Sequence, residues 1–147
     1  MKSTAAVTTI AIDLAKDVFQ LALADASFGI VRSLRLKRAD FLAFWSNHPI
    51  VHVVMEACGS AHHFGRWFSA MGHRVTLLPA QYVKPYVSRN KTDATDCAAL
   101  RASDIKPVPI KTEHQQVIQL MHRTRQQWQR DRTARINLAR GMLREFG

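Results

Sequence analysis

The sequence predicts an α/β domain followed by a long basic helix, and three observations carry that expectation. Residues 5–37 hold three consecutive runs rich in β-forming or alternating residues. Between residues 40 and 79, helical stretches interleave with apolar runs. Residues 111–147 hold no proline and only Gly141 and Gly147 as glycines. A length of 147 residues suits one ordinary globular domain with a tail.

Taken in order, "AVTTIAI" (6–12) is a β-rich run, "VFQLALAD" (18–25) alternates, and "GIVRSLRLK" (29–37) alternates again after Gly29, which together predict an antiparallel three-stranded meander. Asp40 is the N-cap candidate for the helix "FLAFWSNH", which Pro49 bounds. "IVHVVMEA" (50–57) is nearly continuous in apolar residues, the pattern of a strand buried on both faces. "SAHHFGRWFSAMG" (60–72) predicts a helix capped by Ser60 and ended by Gly72. The strand "HRVTLLP" follows, then helical stretches "QYVKPYVSR" and "DATDCAALRASDI", and the two prolines of "KPVP" (106–109) close the compact unit. The expected division is a catalytic domain over 1–108 and a basic helical segment over 109–147.

Charge narrows the partners. The chain carries 21 Lys and Arg against 11 Asp and Glu, a formal charge of +10, and a polyanion is the partner such a balance favours because each phosphate neutralised releases condensed counterions. Residues 111–147 alone hold eight basic residues against three acids. Cys58 and Cys97 are too few for a disulfide framework and read as thiols of a reducing cytoplasm. Asp13 and Lys16 arrive too early for a signal peptide, and no apolar run approaches a membrane span, so a soluble, cytoplasmic protein without a membrane partner is expected.

Against that basic background the acids stand out. Asp13 follows the strand "TTIAI" and Glu56 follows "IVHVVM". If those strands are parallel neighbours, both carboxylates emerge at carboxyl ends, where ligand sites of open α/β sheets lie. In "KTDATDCAAL" (91–100), Asp93 and Asp96 stand three apart and project from one helical face. Four carboxylates could then converge, and hard divalent cations such as Mg²⁺ want oxygen ligands; two such ions clamp the attacking and leaving oxygens of a phosphoryl transfer. Each acid also has a plainer reading: Asp13 as a turn cap, and Asp93 with Asp96 as complements to a helix dipole capped by Thr92.

The stretches "IAIDLAKDVFQLALAD" and "VVMEACGSAHHFGRWFSAMGHRVTLLPAQYVKPYVSRNKTDATDCAAL", with the basic helix after them, resemble the N-terminal domain of the DEDD transposases of insertion sequences. These are relatives of the Piv-type DNA invertases and belong to a bridge-RNA-guided recombinase family. The resemblance runs from about Thr8 to the end of the chain and is specific, because Asp13, Glu56, Asp93 and Asp96 occur in order within matching flanking residues. It implies a ribonuclease-H-like (RuvC-like) mixed sheet flanked by helices, followed by the long C-terminal helix. It also implies that the four acids are a catalytic tetrad for two Mg²⁺ ions, with Mn²⁺ able to substitute, serving phosphoryl transfer on DNA during RNA-guided recombination. Its nucleophilic serine belongs to a C-terminal domain with no match here, so the chain is expected to be incomplete for strand exchange. The family's long helices mediate dimer contacts and help hold guide RNA. On charge, Arg123, Arg125, Arg130 and Arg132 are the nucleic-acid-binding candidates.

Other features are weighed against this reading. Ser60 near His62 and His63 lacks the spacing of a nucleophile elbow, and the two adjacent histidines with His73 lack zinc-ligand spacing. Trp45 and Trp67 lie in amphipathic stretches and read as core, whereas Trp128 stands among arginines and is a candidate contact to nucleic acid or a partner helix. Ile118, Met121, Trp128, Ile136, Ala139, Leu143 and Phe146 form half a coiled-coil seam, interrupted by Arg125 and Arg132, and predict self-association. An actin-like ATPase is disfavoured because "AIDLAKD" lacks the glycine that a phosphate turn needs after its aspartate. The alternative function is a non-catalytic nucleic-acid-binding module with the same fold.

Overall fold

The computed structural model describes residues 6–83 and 106–147. They belong to two compact units, Met1–Ile110 and Lys111–Gly147. The first contains β1 (Thr9–Asp13), β2 (Val18–Ala24), β3 (Ile30–Lys37), α1 (Arg38–Ser46), β4 (His52–Glu56), α2 (Ala61–Ala70), β5 (Arg74–Leu78) and the short α3 (Ala80–Val83). One five-stranded sheet runs in the order β3-β2-β1-β4-β5. The meander β1–β2–β3 is antiparallel, and β1–β4 and β4–β5 are parallel. This is the mixed, ribonuclease-H-like arrangement that the sequence predicts. Of the predicted helical stretch 81–89, residues 81–83 fall in α3, and the rest of it and the stretch 93–105 lie outside the described residues.

Alternation explains the layering. Ile10, Ile12, Leu21, Val53, Met55 and Leu77 turn one face of the sheet into the main core, where Phe41 and Trp45 of α1 and Phe64 and Phe68 of α2 meet them. Phe19 stacks on Phe41 at 4.2 Å between centroids, and Trp45 meets Phe68 edge-on at 4.6 Å, so rings bridge the sheet and both helices. Trp45 and Trp67 are thus core residues, as expected, with Trp67 only partly buried. The odd-numbered residues of β1 face the other way, and Ala11 packs there with Ala22 and Ala24.

The turns hold the register. Between β2 and β3, the Asp25 carboxylate accepts hydrogen bonds from the amides of Ser27 and Gly29, while Phe28 adopts a left-handed φ of 59°. Arg38, at the start of α1, lies over the Phe19 ring and donates to the Lys16 carbonyl at 3.2 Å, tethering the loop that follows Asp13. After α2, Gly72 at φ 89° closes a Schellman motif: its amide bonds to Ser69 O and that of His73 to Phe68 O, both at 3.1 Å. Residues beyond the 84–105 stretch return to this unit, where Val108 pairs antiparallel with Leu77 and Ile110 packs against Gly65.

Two capping expectations need correction. Helix α1 begins at Arg38 with Lys37 as N-cap, which places Asp40 in the first turn instead of before it. The chain turns directly from β3 into the helix, so the first helical residues come before the acid that could have capped it. Ser60 does hold the N-cap position of α2, but its side chain makes no capping hydrogen bond; its backbone is already near-helical, and its hydroxyl lies 3.9 Å from the Cys58 sulfur. The first strand also starts later than the predicted run, at Thr9.

The second unit is the single helix α4 (Glu113–Glu145). Its start carries a signal the sequence reading passed over: Thr112 and Gln115 form a reciprocal capping box, with bonds of 2.9 and 3.2 Å.

Candidate metal and nucleic-acid site

Strand register builds the site. Ile12 pairs with Met55 across β1 and β4, so one residue further on Asp13 and Glu56 stand side by side at the carboxyl ends of neighbouring parallel strands. Both are half-buried. They project from the face opposite the main core, because Ile12 and Met55 are committed to that core and successive residues alternate. Two carboxylates at the ends of neighbouring inner strands supply hard oxygen donors and concentrate negative charge, a donor set that suits Mg²⁺ or Mn²⁺ and fits poorly with softer metals. Asp93 and Asp96, the other half of the predicted tetrad, lie outside the described residues. Among the described residues no group of three or more His, Cys, Asp or Glu side chains is placed to hold a metal ion.

The sheet adds two residues that sequence reasoning missed. Asp13 pairs with Gln20 on β2, and Gln20 pairs with Arg35 on β3, so Arg35, Gln20, Asp13 and Glu56 form one row across a single face. Gln20 and Arg35 are exposed. Alternation within "GIVRSLRLK" separates Arg35 from Leu34 and Leu36, but only the pairing places it level with Asp13.

His73 and His52 lie at the amino-terminal ends of β5 and β4, at the other end of the sheet from the acid pair, and are structural in geometry. His73 is 5% exposed, and its Nδ1 accepts the Val51 amide hydrogen at 3.2 Å. Burial, and then the neighbouring His48, lower its pKa below the ordinary value. His52 Nε2 lies 2.8 Å from Thr76 Oγ1, and burial together with Arg74 lowers its pKa too. Cys58, two residues beyond Glu56, is a half-buried free thiol.

On α4 the four candidate arginines are exposed but do not form one surface. Seven residues separate Arg123 from Arg130 and Arg125 from Arg132, which keeps each pair together, whereas two residues turn a helix by roughly 200°. The pairs therefore occupy opposite faces. Arg125 and Arg132 fall within the stripe of Ile118, Met121, Trp128, Ile136 and Leu143, and Arg123 and Arg130 lie behind it. Every member of that apolar stripe is at least 40% exposed within the chain, with Trp128 at 70%.

The family model of the IS110-type DEDD transposases, described as "Transposase", matches residues 10–147. The chain belongs to this transposase family. Among curated proteins, the chain is 44% identical over 142 residues to the "Probable family 20 transposase" of Pseudomonas aeruginosa, covering 94% of the chain and 42% of that protein. It is 41% identical over 143 residues to the "Transposase for insertion sequence element IS1111A" of Coxiella burnetii, covering 94% and 39%. It is 34% identical over 145 residues to the "Transposase for insertion sequence element IS1328" of Yersinia enterocolitica, covering 96% and 43%. The chain thus spans about two-fifths of the length of the curated relatives it matches. No helix among its described residues is long and apolar enough to cross a membrane.

Proposed function

We propose that this chain is the N-terminal catalytic part of an insertion-sequence transposase, working in the cytoplasm and using Asp13, Glu56, Asp93 and Asp96 to hold two Mg²⁺ ions for phosphoryl transfer on DNA. The observation that carries the reading is the placement of Asp13 and Glu56 at adjacent carboxyl ends of parallel strands, in a chain otherwise rich in base. Ions bound there would supply charge neutralisation at the phosphodiester and activation of its attacking oxygen. The chain's own part is to hold the carboxylates rigidly. Asp13 is anchored between β2 and β4 in the middle of the sheet, and the Arg38 tether restrains the loop beyond it.

In this reading residues 1–108 are the catalytic domain, and 109–147 begin a helical link toward a domain that contributes the nucleophilic serine. The complete reaction is RNA-guided recombination. Arg123 and Arg130, facing away from the apolar stripe, are the better placed of the four arginines to meet guide RNA phosphates. The stripe itself serves a second copy of the chain: Ile118, Arg125, Arg132, Ala139 and Phe146 repeat every seven residues, the period of a left-handed coiled coil. Arginines at two of those positions set register at a cost in stability, as polar seam residues do.

Thermal melts test the metal reading. If Mg²⁺ binds with a dissociation constant on the order of 1 mM, 10 mM adds about 1.4 kcal/mol, a shift of roughly 3–6 °C at this size. Asp96→Asn should remove most of that shift at constant ionic strength. An unchanged shift in the variant would sink the tetrad and leave "KTDATD" as a helix start, which is what the non-catalytic binding module predicts.

A further inference from the structure

The row Arg35–Gln20–Asp13–Glu56 places a cation and a neutral hydrogen-bonding group beside the acid pair, on the same face of the sheet. We propose that Arg35 and Gln20 form a phosphate seat that holds the DNA strand across the sheet, with the phosphodiester to be processed lying at Asp13 and Glu56 and a neighbouring phosphate at Arg35. The proposal rests on the reading of Asp13 and Glu56 as the metal-holding pair.

Electrostatics gives the reason for such a seat. Two adjacent carboxylates repel a phosphodiester, and an approaching strand needs fixed positive charge nearby to be held in register. Two strand spacings of about 4.8 Å put the Arg35 Cα roughly 10 Å from that of Asp13, near enough to serve the same backbone but too far to occupy the acid site itself. Gln20 lies between them, where its amide can donate to a phosphate oxygen without adding charge. Lys37 pairs with Val18 and extends the same face one step further toward the carboxyl end of β1. All three side chains are exposed. Arg35 is planar and forked, so it grips a phosphate in two directions, which Lys cannot.

The same strand holds an internal control. Arg32, also exposed, pairs with Leu23 and stands on the core-side face with Leu34 and Leu36. A diffuse basic field treats Arg32 and Arg35 alike, whereas a phosphate seat uses only Arg35.

The test measures binding of the 147-residue chain to a labelled single-stranded thymidine oligonucleotide, and to its uridine RNA counterpart, across a salt series in Mg²⁺. Arg35→Ala is expected to weaken DNA binding and make the log–log salt slope shallower by about 0.7, the value for one phosphate contact on a single strand. Gln20→Ala should weaken binding with the slope intact, Arg35→Lys should restore the slope but not the full affinity, and Arg32→Ala should change neither. Equal effects of Arg32→Ala and Arg35→Ala, or no effect of Arg35→Ala, overturn the seat. A loss confined to the RNA probe overturns its assignment to the DNA strand. Melts of the same proteins separate this from the metal reading: Arg35→Ala should keep the wild-type Mg²⁺ shift. A wild type without any shift refutes the metal pair, while the Arg32 and Arg35 contrast still decides the seat.

Discussion

Asp13 and Glu56 leave neighbouring parallel strands side by side, one residue beyond the paired Ile12 and Met55. Like charges facing each other across strands destabilise a sheet, by up to about 1 kcal/mol per pair at exposed positions. Glu56→Gln should therefore raise metal-free stability by about 0.2–1 kcal/mol, read from urea unfolding in the presence of a chelator. A loss greater than about 1 kcal/mol would show that the Glu56 carboxylate serves the fold.

The opposite placement of the arginine pairs on α4 makes them unequal in nucleic-acid binding. Arg123→Ala with Arg130→Ala should reduce the salt slope for a structured RNA by about 1.5–2, as two phosphate contacts require. Arg125→Ala with Arg132→Ala should leave that slope nearly unchanged. Equivalent losses from the two pairs would contradict the assignment of faces.

Self-association follows from the stripe that contains Met121 and Trp128, exposed by 67% and 70%. Sedimentation at tens of micromolar should show dimers, and Met121→Glu should shift them to monomers. Replacing Arg125 by Leu removes a charge from the seam and should strengthen the dimer. Only monomers in the wild type would end this reading.

Two glycines should respond with opposite sign. Gly72 has φ 89° in the Schellman turn after α2, so Gly72→Ala should cost about 1–2 kcal/mol in the stability of the sheet unit. Gly141 lies inside α4 with nothing within 4 Å of an added Cβ, so Gly141→Ala should favour the helix by roughly 0.5–1 kcal/mol. Circular-dichroism melts of the two variants measure both.

His73 links stability to pH. Its folded pKa lies below the ordinary 6.5, so the unfolded chain binds more protons than the native one, and stability rises with pH through that window. The contribution is complete above about 6.5 and is lost as pH falls toward the folded value. His52 acts in the same direction. His73→Asn keeps an acceptor for the Val51 amide without the titration, and should flatten the decline of stability between about pH 7 and pH 5. An identical pH profile in the variant would remove His73 as the source.

Much of the architecture was legible in the residues. Alternating runs located β2 and β3, because a strand half-buried on a sheet must alternate, β-rich or continuous apolar runs located β1 and β4, and Gly72 marked the end of α2 because the left-handed turn there favours a residue without Cβ. The stripe and arginines of α4 were equally visible, since a helix repeats over a handful of residues. Asp13 and Glu56 could be named as strand-end acids from sequence, but their adjacency depended on the β1–β4 pairing, between residues more than forty positions apart. The row to Gln20 and Arg35 needed two further registers, and a shift of one residue in either would have turned Arg35 to the core side and Leu34 or Leu36 to solvent. Local sequence alone set the alternation and the helix faces, because those interactions span only neighbouring residues. Tertiary structure decided which faces meet across the sheet, because the long-range burial of Phe19, Phe41, Trp45 and Phe68 selects the pairing that brings acids and arginine into one line.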